Sequence, residues 1–104
     1  MYYIYMLRCK DNSLYTGITT DIERRFKEHL EKTKKCAKYT STHSALKIEK
    51  VWQTETRSLA SKLEYNIKKN LTKAQKEKLV SNKSSIQDLL KDKIEYELYD
   101  KYNS

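Results

Sequence analysis

The sequence predicts an α+β fold: a small antiparallel sheet of three strands flanked by helices, in the order β-β-α-β-α-α. Residues 2–9 are rich in tyrosine and aliphatic side chains, which is typical of a strand covered on both faces. A turn-forming stretch separates them from a second strand at 14–19, so the chain opens with a hairpin. A third strand, whose alternation breaks at a bulge, is predicted at 46–54 between segments of helical periodicity.

The loop of the hairpin decides which side chains share a face of the sheet. Residues 11–13 fit a three-residue loop, a type I turn followed by a left-handed residue, which asparagine tolerates. This loop pairs Lys10 with Leu14. Because side chains alternate along a strand, that register places Tyr5 and Tyr15 on the same face.

Capping boxes and apolar spacing predict the helices. Residues 20–23 form a capping box that begins the first helix, and Ile22, Phe26 and Leu30 are expected to form its buried stripe.

The second half of the chain predicts three further helices. One begins near Ser58, and capping boxes at 72–75 and 84–87 begin two shorter ones. Residues 94–99 fit either a helix or a short strand. The inward face of the helix that begins near Ser58 consists of Leu59, Leu63 and Ile67.

The charge of the chain points to a polyanionic partner. The net charge is +8 and the sequence pI is about 9.4. The first eighty residues hold 18 basic and 9 acidic side chains, whereas the remainder carries one net negative charge. Eighteen of the 22 basic residues are lysines, which contact phosphate as point charges and do not read bases with a bidentate fork. The alternative is that the lysines only form a soluble surface and bind no polyanion.

The sequence argues against a zinc-binding protein and against a membrane-spanning protein. Cys9 and Cys36 lie 27 residues apart without partners at metal-ligand spacing, which argues against a zinc site and for free, reduced thiols. No apolar stretch approaches the roughly 20 residues that span a bilayer. We therefore expect an intracellular protein with no membrane partner, cytoplasmic, or nuclear where the host is eukaryotic or the protein viral.

Gly17 is the only glycine in the chain, and it lies inside a predicted strand. A glycine there weakens the strand, so it marks a place where a ligand or another backbone comes close. Tyr5, Tyr15, and the pair Arg25 and His29, one turn apart on the following helix, are gathered around that position. This combination suggests chemistry more than packing.

Five segments, in this order, resemble the GIY-YIG nuclease superfamily, specifically its small single-domain members. They are residues 3–5 (Tyr-Ile-Tyr), 15–17 (Tyr-Thr-Gly), the helix at 20–29, the short motif at 38–40 and the acidic segment at 63–69. Each motif alone is weak, whereas the ordered combination is specific. The tail after residue 81 lies outside the resemblance.

The resemblance implies a GIY-YIG-like nuclease domain over residues 1–80. Residues 81–104, which lie outside it, are expected to form a C-terminal helical extension packed on the same domain. It also implies magnesium-dependent hydrolysis of phosphodiester bonds in DNA, in which Mn²⁺ can substitute for Mg²⁺.

The resemblance also assigns roles to residues of this chain. Tyr15 would be the general base or water-positioning group, with Tyr5 beside it. Arg25 would contact the scissile phosphate with the assistance of His29, and Glu64 would hold the metal ion. The implied contacts to nucleic acid are Gly17, Lys35, Lys38, Tyr39, Thr40, Lys68 and Lys69.

A structural role is the alternative for each of these residues. The tyrosines fit sheet packing, and the histidine fits the edge of a core. Arg25 follows Asp21 by one turn and Glu64 precedes Lys68 by one turn, so both fit ordinary ion pairs on a helix surface.

At the level of the whole protein, the leading hypothesis is an endonuclease that prefers DNA structure, branched or single-stranded, over DNA sequence, because no recognition helix or second domain is evident. A catalytically silent nucleic-acid-binding module with the same fold and basic surface is the alternative. A monomer is favoured, and a tyrosine-rich tail that contacts another protein remains a third hypothesis.

Overall fold

The computed structural model describes residues 1–31 and 43–102. The elements in these ranges are β1 (Tyr2–Cys9), β2 (Leu14–Thr19), α1 (Ile22–Glu31), β3 (Ala45–Thr54), α2 (Arg57–Asn70), α3 (Lys73–Val80), α4 (Ile86–Leu90), a 3-10 turn (Tyr96–Leu98) and β4 (Asp100–Lys101). Among these elements, no helix has the length and apolar character needed to cross a membrane.

The strands form one antiparallel sheet in the order β2-β1-β3-β4. The predicted α+β class is confirmed, whereas the predicted number of three strands is wrong. The additional strand, β4, pairs with Trp52 and Gln53 of β3. It is two residues long, so it is too short to show an alternating pattern in the sequence.

The hairpin of β1 and β2 has a longer loop than predicted. Pairing ends with Arg8 opposite Leu14, two residues earlier in β1 than expected, and Asn12 adopts the left-handed conformation with φ 69°. The loop still has an odd number of residues. Tyr5 and Tyr15 therefore lie on the same face, as predicted, although the register is wrong.

The strand β3 runs beside β1 with an interrupted register. Lys50 lies opposite Met6 but Ile48 lies opposite Leu7, so Glu49 is an extra residue on β3. The predicted bulge is confirmed.

Each face of the sheet has its own buried layer. The main core includes Ile4, Met6, Trp52, Leu63, Ile67, Leu79, Ile86, Leu90, Ile94 and Tyr99, and is covered by α2, α3 and the tail. The smaller layer on the other face comprises Tyr5, Leu7, Ala45 and Val51, with Tyr15, Ile22 and Phe26 packed against it. Because neighbouring residues of a strand face opposite ways, Tyr5 points towards α1.

The helix α1 begins and packs differently from the prediction. Its N-cap is Asp21 and not Thr20, since Asp21 Oδ1 accepts the backbone N–H of Arg24 at 3.1 Å. Leu30, predicted to be buried, is 48% exposed. Residues four apart drift by about 40° per step around a helix, so the third member of the stripe leaves the interface and His29 takes its place.

The tail also differs in detail. The capping box of α4 is formed by Ser85 and Asp88, one residue later than predicted, whereas the predicted box of α3 is confirmed. The stretch predicted to be helix or strand is the 3-10 turn that leads into β4.

Candidate active site

The single glycine lies beneath a tyrosine ring. Gly17 on β2 is opposite Tyr5 on β1. A Cβ atom at Gly17 would lie 2.5 Å from Tyr5 Oη, 2.7 Å from Tyr5 Cζ and 3.1 Å from Tyr15 Cε2. Only glycine leaves room for Tyr5 to cross the neighbouring strand. The sequence predicted a close approach by a ligand or another backbone, and in the structure the Tyr5 side chain makes it.

Three rings from β1, β2 and α1 meet above this position. The Tyr5 and His29 side chains are almost completely buried, with 2% and 0% of their surface exposed. Tyr5 Oη lies 2.9 Å from His29 Nε2. The ring centroid of Tyr15 lies 6.3 Å from that of Tyr5 and 5.5 Å from that of His29. Tyr15 remains partly exposed.

The histidine of the cluster is neutral at physiological pH. Burial, aided by the positive charge of Arg25, lowers the pKa of His29 to about 4. A neutral imidazole has one acceptor nitrogen, so Nε2 can accept the phenolic proton of Tyr5. The histidine thus fixes the orientation of the Tyr5 ring.

Acid should destabilise the protein through His29. The unfolded imidazole titrates near pH 6.5, whereas the folded one has a pKa of about 4. The stabilisation is therefore complete above pH 6.5 and is lost as the pH falls towards 4. Relative to His29→Gln, which does not titrate, we expect the wild type to lose about 2 kcal/mol more unfolding free energy between pH 7.5 and about 4.5, measured by urea denaturation. Equal losses in both proteins would contradict a buried neutral histidine.

Arg25 joins the cluster from the same face of α1. Its Nη1 lies 3.0 Å from Glu28 Oε1, so the structure gives Arg25 an ion pair with Glu28 on the same helix, whereas the sequence suggested Asp21. Burial raises the pKa of the Tyr5 phenol, as does the neighbouring Tyr15, and a hydrogen bond from the Arg25 guanidinium opposes that rise only in part. The guanidinium also lowers the pKa of the Tyr15 phenol, first through its charge and then through hydrogen bonding.

Glu64 reaches the same region from α2. Its half-buried side chain lies 3.5 Å from Lys68 Nζ, which confirms the predicted pair, and Lys68 Nζ also lies 5.1 Å from the Tyr15 ring centroid. Burial raises the pKa of the Tyr15 phenol, and the negative charge of Glu64 raises it further. The Glu64 carboxylate is therefore close enough to the partly exposed Tyr15 phenol to affect its ionisation.

The donor set fits a hydrated magnesium ion held in part by the substrate. Within residues 1–31 and 43–102, no group of three or more histidine, cysteine or acidic side chains could hold a metal. Mg²⁺ usually keeps several waters and binds through one or two carboxylates and substrate phosphates. Glu64 would supply the carboxylate for such an ion, with the Tyr15 phenol near it.

The predicted nucleic-acid contacts are only partly described by the structure. Gly17 is buried against the Tyr5 side chain. Lys68 lies beside Tyr15, and Lys69 is exposed at the next position of α2. The other four, Lys35, Lys38, Tyr39 and Thr40, lie outside the described residues.

Two further arginines near the site were not selected from the sequence. Arg24 and Arg57 line an open hollow of about 470 Å³ together with Arg25. The available signal was the scarcity of arginine, since the chain has four arginines among its 22 basic residues.

The chain belongs to the GIY-YIG family, since residues 1–79 match the GIY-YIG catalytic domain. This domain indicates a function of the nuclease type, and GIY-YIG nucleases act on DNA.

Within this family the chain is similar to the small UPF0213 proteins. It is 48% identical over 84 residues to a UPF0213 protein of Fusobacterium nucleatum, covering 81% of each chain. It is 45% identical over 89 residues to the UPF0213 protein YhbQ of Salmonella typhimurium, covering 86% of each. The solution NMR structure of a UPF0213 protein from Bacillus halodurans shares 42% identity and a TM-score of 0.50, over 80% of this chain and 86% of that chain.

Proposed function

We propose that the protein is a magnesium-dependent endonuclease that hydrolyses phosphodiester bonds in DNA and selects DNA structure more than DNA sequence. The observation that carries this proposal is the convergence of two phenols, a guanidinium, an imidazole and a carboxylate from four separate elements. These groups are Tyr5, Tyr15, Arg25, His29 and Glu64.

Each group has a part in the proposed reaction. Arg25 contacts the scissile phosphate, because a guanidinium matches the charge spread over phosphate oxygens. Glu64 holds Mg²⁺, which when bound supplies Lewis-acid polarisation of a phosphoryl oxygen. His29 and Tyr5 form the buried support that fixes the positions of Arg25 and Tyr15.

Tyr15 positions the attacking water and accepts its proton. Its pKa is raised by burial and then by the Glu64 charge, so the phenol is neutral in the resting site. Neutralising the carboxylate with a cation removes one cause of that rise, and the hydrogen bond from Arg25 favours the phenolate. A cation held at Glu64 would therefore favour ionisation of Tyr15.

This role of Tyr15 predicts the pH dependence of cleavage. Because the ionised phenol is the reactive form, the single-turnover rate of the wild type should rise about tenfold per pH unit between about pH 6.5 and 9. Tyr15→Phe should be slow and independent of pH over that range. A wild-type rate that does not change with pH would contradict a proton-accepting Tyr15.

A cleavage panel tests the proposed function. Purified protein is incubated with supercoiled plasmid and with branched, flapped, nicked, single-stranded and linear DNAs, each with Mg²⁺, Mn²⁺ or a chelator. We expect metal-dependent cleavage that is fastest on branched or single-stranded substrates. The control Lys93→Ala alters an exposed lysine of the tail and should cleave like the wild type. Binding without cleavage across all substrates would instead identify a catalytically silent module.

A further inference from the structure

The arginines of this chain are distributed in an unusual way. Three of the four, Arg24, Arg25 and Arg57, line one hollow of about 470 Å³. The fourth, Arg8, is held by Glu49 at 3.0 Å and by Glu77 at 2.5 Å. Every arginine that is not part of that internal ion-pair cluster therefore faces the same space.

The hollow adjoins the candidate active site at the edge of the sheet. It lies between the first turns of α1 and α2, over residues 18–20 at the end of β2, which is an edge strand. Arg25 belongs both to this hollow and to the cluster with Tyr5 and Tyr15. A nucleic-acid strand that leaves the active site past Arg25 would therefore enter the hollow.

The charge of the hollow is incompletely balanced. Arg24 and Arg57 are exposed, and neither forms an ion pair with another described residue. Glu28 is the one acidic side chain among the described lining residues, and it pairs with Arg25 at 3.0 Å. Two guanidinium groups thus remain available to an anion. Guanidinium offers paired N–H donors that match two oxygens of one phosphate.

We propose that this hollow is a second phosphate-binding site, in which Arg24 and Arg57 bind the strand's phosphodiester next to the one at Arg25. This proposal rests on the proposed function in one respect, which is that the bound strand is DNA. The two arginines are positioning residues: they would fix how the substrate backbone passes the site, and they would take no part in bond cleavage.

The salt dependence of DNA binding tests this proposal. Binding of a fluorescently labelled branched DNA is measured by anisotropy in Glu64→Gln protein with chelator present, so that no cleavage occurs. Over about 50 to 300 mM salt, the slope of log Kd against log salt should fall by about 0.7 to 0.9 for each phosphate contact that is removed. Because both arginines bind one phosphodiester in this proposal, we expect this loss for the double variant and a smaller loss for Arg24→Gln and for Arg57→Gln alone.

Controls separate this proposal from the proposed function. Lys93→Gln removes an exposed cation of the tail, and it should leave the slope unchanged. Thermal denaturation shows whether each variant is folded. Unchanged slopes for both arginine variants, or an equal loss for Lys93→Gln, would overturn the second phosphate site even if the wild type cleaves DNA. Reduced slopes in a protein that never cleaves DNA would keep this site and reject the nuclease proposal.

Discussion

Replacing Glu64 by glutamine is expected to lower the magnesium-dependent cleavage rate about a thousandfold, since metal-assisted charge stabilisation supplies several kcal/mol. Glutamine keeps the size of the side chain but removes the charge that would hold the ion. The carboxylate is 24% exposed and pairs with Lys68, whose side chain is 46% exposed. Such a pair contributes at most about 1 kcal/mol to stability, so the variant should stay folded.

The matched control is Glu97→Gln, which neutralises an exposed carboxylate in the tail. Plasmid nicking is measured over a range of magnesium concentrations, and Mn²⁺ binding is followed by electron paramagnetic resonance. Glu64→Gln should lose both activity and ion binding, whereas Glu97→Gln should lose neither. Full activity of Glu64→Gln would remove this residue from the site.

Adding one methyl group at Gly17 is expected to damage both the fold and the activity. The new Cβ would lie 2.5 Å from Tyr5 Oη and 2.7 Å from Tyr5 Cζ, so the buried ring has to move. Overpacking of this kind costs about 1–3 kcal/mol of unfolding free energy. Displacing Tyr5 breaks its contact with His29 and shifts its neighbours, and a misplacement of about 1 Å can cost a hundredfold in rate.

A double-mutant cycle with Tyr5→Phe tests this cause. Phenylalanine lacks the hydroxyl that lies nearest to the added methyl group, so Gly17→Ala should cost less stability in the Tyr5→Phe protein than in the wild type. Urea denaturation measures the four proteins, and plasmid nicking measures the wild type and Gly17→Ala. An equal stability cost in both backgrounds would show that the hydroxyl contact is not the cause.

The sequence predicted those features that depend on local patterns. The strand and helix order followed from periodicity, and the shared face of Tyr5 and Tyr15 followed from the odd loop length alone, even though the register was wrong. Caps were misplaced by one residue at two helices, because neighbouring polar side chains there can each form the cap.

Features that depend on tertiary packing could not be predicted. The exposure of Leu30 and the burial of His29 depend on how α1 lies on the sheet. The position of Arg57 beside Arg25 depends on α2 beginning close to α1, which no local spacing records. The two-residue β4 forms because β3 offers it an edge.

The contribution of the tail to the main core has a consequence for where this chain can be cut. The family match ends at residue 79, but Ile86, Leu90, Ile94 and Tyr99 are buried against Trp52 and Leu79. A fragment that ends at residue 79 would expose the apolar side chains of the main core that the tail now covers. It would also lack β4, so the backbone groups of β3 that pair with β4 would be left unpaired. An unpaired strand edge can pair with other chains, so the trimmed fragment should precipitate or form filaments. The family-model match is therefore shorter than the part of the chain that forms the main core.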